Sequence, residues 1–265
     1  MPGYRGNRHD RCWRALNAHP APWHNEMPNK GSFRMSLKLV IGNKNYSSWS
    51  MRPWLALRAN NIAFEEVFIP LYTGDADKKR ILDVTRSGKV PVLIDGDVTI
   101  WDSLAIIEYL AERFPETRLW PEEQLPRAHA RSISAEMHSG FAALRNECGM
   151  NLHRPVGAVE LSADARANIA RIQEIWTECR ERFGKSGPYL FGAFGGADAM
   201  YAPVVHRFRS YAIVVTPQVQ RYMDTMMALP AFQEWTGAGL AETLVIDRFE
   251  TVLAREWQIL GGLAS

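Results

Sequence analysis

The 265 residues carry 31 basic and 29 acidic side chains, a formal net charge of +2, with 46% hydrophobic and 23% charged residues. These are the proportions of an ordinary folded protein and exclude a disordered or fibrous chain. The three cysteines, Cys12, Cys148 and Cys179, stand far apart with no CxxC spacing. That pattern argues against a disulfide framework and a zinc site, fits a reducing, cytoplasmic location, and leaves no metal expected. No apolar run approaches the roughly 20 residues that a bilayer span needs.

The charge is uneven. Residues 1–35 hold six basic groups against two acidic ones, a local +4 that leaves the remainder at −2. The body of the chain therefore gives no electrostatic reason to expect nucleic acid. Residues 1–35 have no clear period and no apolar core of a secretory signal. They read as a disordered, dispensable extension; a tail docked through Trp13 or Trp23 is the alternative.

Leu37 to Ile41 reads as the first strand. The polar, turn-rich run Gly42-Asn-Lys-Asn-Tyr-Ser-Ser-Trp-Ser50 follows, then a helix from Met51 to Asn60 with Pro53 in its first turn. Phe64 to Ile69 is a strand and Asp75 to Thr85 a helix. Val90 to Ile94 is an apolar strand, Asp95-Gly96 a hairpin signal, and Val98 to Ile100 the returning strand. Asp102-Ser103 then opens a helix whose Leu104, Ile107, Leu110, Ala111 and Phe114 recur at helical spacing. This order predicts an α/β thioredoxin-like domain with a parallel first βαβ unit and an antiparallel final hairpin.

Past a proline-bounded linker, helical periods dominate at about 123–151, 163–183, 197–211, 216–228 and 230–242. They predict an all-α helical-bundle C-terminal domain. The division expected is 1–35 extension, 36–117 thioredoxin-like domain, 118–126 linker and 127–260 helical domain.

Several residues can carry chemistry. Proline cannot donate to a sheet ladder, so Pro91 belongs at a strand entry, with a cis bond as one option. A free main-chain group at Val90 then suits an extended peptide ligand. The helix start at Asp102-Ser103 offers N–H groups, a positive dipole end and a hydroxyl, a fit for a carboxylate. Ser47 and Ser48, ahead of the first helix, are placed to stabilise a thiolate. Each feature alone also fits a plain role as a turn or helix cap. Lys89 suits a carboxylate or plain solvent. Arg52 suits an ion pair between domains. His138, His153 and His206 lack metal-ligand spacing.

Taken together, Val90-Pro91 followed by Asp102-Ser103-Leu-Ala-Ile-Ile-Glu-Tyr-Leu110 resembles the glutathione S-transferase family. The likeness is to cytosolic serine-class members, nearest to zeta and theta-like bacterial ones. Tyr46-Ser47-Ser48-Trp49-Ser50-Met51-Arg52 resembles the zeta-class Ser-Ser-Cys-Ser-x-Arg motif, with Trp49 in the place of the cysteine. The resemblance implies that Lys89, Val90, Pro91, Asp102 and Ser103 bind glutathione and that Ser47, with Ser48 next in line, faces the thiol. It implies a capping box before the buried helix at 199, here Gly195 and Asp198 in a structural role. It further implies a homodimer, glutathione as co-substrate with no other cofactor, and a small, apolar electrophile. A maleylacetoacetate isomerase-like enzyme and a non-catalytic module with the same fold are the alternatives; the missing cysteine weighs against the first.

Overall fold

The computed structural model describes residues 37–247, 249 and 250; the expectations for residues 1–35 and 251–260 lie outside them. The first half runs β1 (Leu37–Ile41), α1 (Ser48–Ala59), β2 (Phe64–Phe68), α2 (Asp75–Val84), β3 (Val92–Asp95), β4 (Val98–Trp101) and α3 (Ser103–Arg113). The sheet order is β2-β1-β3-β4. β1 is parallel to β2, whereas β1–β3 and β3–β4 are antiparallel. Asp95 pairs with Val98, so Gly96 and Asp97 form the turn, and Gly96 takes the positive φ of 58° that glycine adopts without a Cβ clash.

Strand side chains alternate between faces. Leu37, Leu39, Ile41 and Leu93 enter the main core with α1 and α3, while Val40 and Val92 pack with Ile81 of α2 on the opposite face. The edge strands β2 and β4 are mostly exposed.

α1 starts at Ser48, three residues before its expected start. Pro53 therefore sits in the helix interior, not its first turn, and its missing N–H leaves the Trp49 carbonyl without an i→i+4 donor. Nine of the twelve α1 residues are buried, among them Ser48, Ser50 and Arg52, because α1 lies between the sheet and the helical half and packs on α3, α7 and α9.

The helical half comprises α4 (Gln124–Ser139), α5 (Ala142–Glu147), α6 (Ala163–Arg182), α7 (Gly196–Ser210), α8 (Pro217–Ala228) and α9 (Pro230–Ala241). The single helix expected over 123–151 is two. Gly140 ends α4 in an extended conformation and Phe141 turns the chain with φ 60°. The Arg145 side chain fastens the break by donating to the Met137, His138 and Gly140 carbonyls, which the end of α4 leaves open.

α7 is the centre of this half, buried in all but its last two residues. Trp176 of α6 packs on Tyr201, Phe208 and Tyr222 with centroids 5.8, 5.4 and 4.9 Å away, so it belongs to this core. Asp198 accepts from the Gly195 N–H at 2.9 Å, from the Leu190 N–H at 3.1 Å and from the Tyr222 hydroxyl at 3.1 Å. Burial nevertheless raises its pKa to about 6.

Candidate functional site

The loop Gly42–Ser47 joins the central strand to α1 and is pinned from several directions. Asn43 accepts from Leu71 N at 2.9 Å, and Asn45 accepts from Leu152 N at 2.6 Å. Glu242, just past α9, accepts from the consecutive N–H groups of Lys44 at 2.6 Å and Asn45 at 3.1 Å. α9 approaches so closely that a Cβ at Gly239 would meet Leu152 Cδ1 at 2.4 Å and Asn45 N at 3.2 Å, so a larger residue there would push Leu152 aside and crowd the loop backbone.

Three serine hydroxyls gather at the head of α1. Ser47 is the N-cap: its Oγ accepts from Ser50 N at 3.3 Å and lies 2.7 Å from Ser50 Oγ, which itself accepts from Gly42 N at 3.2 Å. Ser48 Oγ accepts from Arg207 at 3.4 Å. Tyr46, a competing hydroxyl by position, turns away. It donates to Glu250 at 2.5 Å and accepts from Ile246 N at 3.4 Å, and burial with the Glu250 bond pushes its pKa up to about 12.

Across α1 lies the start of α3. Asp102 is its N-cap, with Oδ1 accepting from Leu104 N at 2.9 Å and Ala105 N at 3.4 Å. Its φ of 78° with ψ 133° is a conformation that side chains other than glycine adopt at a cost on the order of 1–3 kcal/mol, and such residues cluster at functional sites. Asp102 Oδ2 lies 3.0 Å from His138 Nε2. Burial lowers the His138 pKa against the attraction of Asp102. Ser103 is buried, and its Oγ accepts from Arg52 at 3.3 Å. Val90, joined to Pro91 by a cis bond, lies two residues before β3, and Lys89 beside it is exposed.

Arg52 makes that hydrogen bond instead of the expected ion pair. It is one of three guanidiniums gathered here from separate elements. Arg207 donates to the Cys148 carbonyl, to the Arg145 carbonyl at 3.4 Å and to Ser48. Arg52 and Arg145 lie 4.3 and 4.8 Å from the Trp49 ring centroid, within cation–π range. Among the described residues, none of the three pairs with a carboxylate. Burial lowers all three pKa values, and repulsion from the neighbouring arginines adds to it at Arg52 and Arg207: Arg207 falls to about 10, and Arg52 is held well below its ordinary value against the pull of Asp102. They remain charged at neutral pH.

Ser47 and Ser48 thus stand at the head of α1 and Asp102 and Ser103 at the head of α3, and Arg52 of α1 bonds Ser103. Arg145, Arg207, Asn43, Asn45 and Glu242 escaped sequence reading. The two arginines come from α5 and α7 and share no spacing with the serines, and the asparagines read only as turn residues.

A four-stranded mixed sheet of thioredoxin type followed by a helical bundle, with its polar site at the heads of α1 and α3, defines a recognised architecture. The glutathione S-transferase N-terminal domain family matches residues 46–113 and its C-terminal domain family residues 162–238. A probable maleylacetoacetate isomerase of Caenorhabditis elegans is 41% identical over 191 residues, 70% of this chain and 87% of that protein. A maleylacetoacetate isomerase of Pseudomonas aeruginosa is 27% identical, over 78% of this chain and 99% of its own. A crystal structure of a glutathione transferase homologue from Burkholderia gl BGR1, with bound glutathione, superposes with a TM-score of 0.60 at 22% identity, covering 78% of this chain and 100% of the other. The chain belongs to the glutathione S-transferase family.

Proposed function

We infer that this protein is an enzyme, a glutathione-dependent transferase that adds the thiolate of glutathione to a small electrophile. The observation that carries the reading is the Arg52–Ser103 hydrogen bond, which ties the heads of α1 and α3 into one unit with hydroxyls at one end and a carboxylate-seeking helix start at the other. Glutathione lies extended across that unit. Its cysteinyl backbone pairs with Val90, with Pro91 shaping the approach, and its γ-glutamyl end meets Asp102 and Ser103. Its glycyl carboxylate reaches Lys89.

The thiol comes to Ser47. Free thiols titrate near about 8.5, and each unit of depression corresponds to about 1.4 kcal/mol. A serine hydroxyl, the N-terminal end of α1 and the nearby guanidiniums all favour the charged form. In the structure the Ser47 hydroxyl donates to Ser50 Oγ at 2.7 Å; rotation of the two hydroxyls reverses that bond and turns the Ser47 proton to the sulfur. The thiolate then attacks the electrophilic carbon, and the leaving group departs with its electron pair. Fixed positioning supplies the remainder of the rate.

An isomerase reading is favoured by the 41% identity to the worm protein and opposed by Trp49 at the cysteine position. The exposed Val98 and Trp101 of the edge strand β4 support a homodimer, which light scattering tests as a mass about twice 30 kDa.

The activity test is retention on immobilised glutathione and turnover of a halonitroarene, an isothiocyanate, a hydroperoxide and maleylacetone. Turnover of maleylacetone alone would establish the isomerase. Neither retention nor turnover would leave a non-catalytic module.

A further inference from the structure

We propose that His138, on α4 of the helical half, is a positioning residue of the glutathione site: it holds the Asp102 carboxylate for the γ-glutamyl ammonium, and it weakens glutathione binding when it takes up a proton. This rests on the placement of the γ-glutamyl end at Asp102 and Ser103 given above.

The first argument is the use of the two Asp102 oxygens. Oδ1 is occupied, accepting from Leu104 N and Ala105 N at 2.9 and 3.4 Å. Oδ2 is left to receive a cation, and it is the atom that lies 3.0 Å from His138 Nε2. The Asp102 side chain is 42% exposed, so a ligand reaches it from solvent while His138 holds it from α4.

The second argument is the other ring nitrogen. His138 Nδ1 is buried and has no hydrogen-bond partner among the described residues. A buried N–H without an acceptor is costly, so the neutral ring carries its proton on Nε2 and donates it to Asp102. The carboxylate is thereby fixed in direction yet keeps its negative charge for an ammonium. A second proton must go to Nδ1. It makes the ring a cation 3.0 Å from Oδ2, which neutralises Asp102 and repels the ammonium of the ligand.

The surroundings give the direction. Asp102 of α3 favours the cation, whereas burial, Arg52 of α1 and Arg145 of α5 oppose it and hold the His138 pKa below the ordinary histidine value. Trp49 of α1 meets the ring edge-on, with centroids 5.3 Å apart, and carries no charge. The other charged groups of these elements are engaged elsewhere: Glu136 of α4 with Arg171, and Glu108 of α3 with Arg131. On α7, which also packs on α4, Tyr201 spends its proton on the Ile133 carbonyl at 3.1 Å, and Arg207 is turned to Ser48 and the Arg145 and Cys148 carbonyls. His138 is therefore neutral at neutral pH, with Asp102 open to glutathione, and takes its proton on acidification.

Calorimetry of S-methylglutathione tests this, because that ligand has no thiol to titrate. Its affinity is expected to fall roughly threefold or more from about pH 7.5 to about pH 5. The analogue that lacks the γ-glutamyl amino group should show no such fall, since nothing on it opposes the new cation. His138→Gln keeps an amide donor for Asp102 and takes up no proton, so its affinity for S-methylglutathione should be level over the same range. No fall in the wild type, an equal fall for the two ligands, or a fall kept in His138→Gln overturns the proposal. Should the variant fail to fold, the comparison of the two ligands on the wild type decides. Absence of S-methylglutathione binding at either pH would overturn the glutathione reading itself and the proposal with it, a result distinct from level binding.

Discussion

The Arg207 guanidinium donates to Ser48 Oγ across 3.4 Å, so a cation on α7 holds the first residue of α1. Ser48 is thereby oriented by charge and Ser47 by capping, and the two should respond differently to truncation. Ser47→Ala should lower turnover of a halonitroarene by about tenfold or more. It should also raise the pH at which the thiolate of bound glutathione appears, and leave glutathione affinity within a few fold. Loss of the cap should lower stability by about 1 kcal/mol. The ultraviolet thiolate titration checks this. The same shift in Ser48→Ala with none in Ser47→Ala would move the thiol role to Ser48.

Asp102 combines a helix cap with a backbone conformation that suits glycine. Asp102→Ala removes the cap and keeps the strained φ, whereas Asp102→Gly removes both. Alanine should therefore destabilise more than glycine, by roughly 1 kcal/mol. Both should weaken glutathione binding more than turnover at saturation. Thermal melts and a glutathione titration check the order; equal melting of the two variants would count against the strain argument.

His206 carries a pH dependence of stability. It is buried, stacks on Phe232 with centroids 4.3 Å apart, and lies 3.1 Å from Thr236 Oγ1. Thr236 spends its own proton on the Phe232 carbonyl, so His206 Nε2 is the donor. Burial, then Arg209 and Arg207, lower its pKa from 6.5 to about 3. The unfolded chain therefore binds the proton first as pH falls. The stabilisation is complete above pH 6.5 and is lost towards pH 3, to an extent on the order of 5 kcal/mol. Denaturation midpoints of the wild type and His206→Gln should converge on acidification; parallel curves would remove His206 as the cause.

Glu242 holds two consecutive amides of the loop that carries Ser47, and bonds to a charged acceptor contribute about 1.5–3 kcal/mol. Glu242→Ala should reduce kcat and raise the pKa of the bound thiol, with little change in the glutathione KM. Glu242→Gln, which keeps an acceptor, should restore part of both. A variant that only melts earlier, with an unchanged thiol titration, would make Glu242 purely structural.

Much of the fold was legible because it rests on local signals. Alternation in Leu37–Ile41, the Asp95-Gly96 turn and the cap at Asp102 each act within a few residues. The start of α1 was misplaced because Pro53 reads as a first-turn residue, while burial between two layers sustains the helix around it. The break at Gly140-Phe141 was missed because the apolar period runs through it and the Arg145 bonds that fix it are tertiary. In the site, Ser47, Ser48, Asp102 and Ser103 stood out through motif order. The guanidinium cluster depends on three elements meeting, which no spacing along the chain encodes.

The bonds from Glu242 to Lys44 and from Tyr46 to Glu250 join positions 198 and 204 residues apart in sequence. Contacts of such separation carry more loop-closure entropy than local ones and are expected late in folding. The sheet needs partners no farther along the chain than Lys38 and Ile94, but the shape of the Ser47 loop waits for Glu242 and Glu250, which follow α9. In a refolding experiment, return of the thiol's acidity therefore follows return of the secondary structure. Competence for chemistry then becomes a clock for the docking of the segment that follows α9.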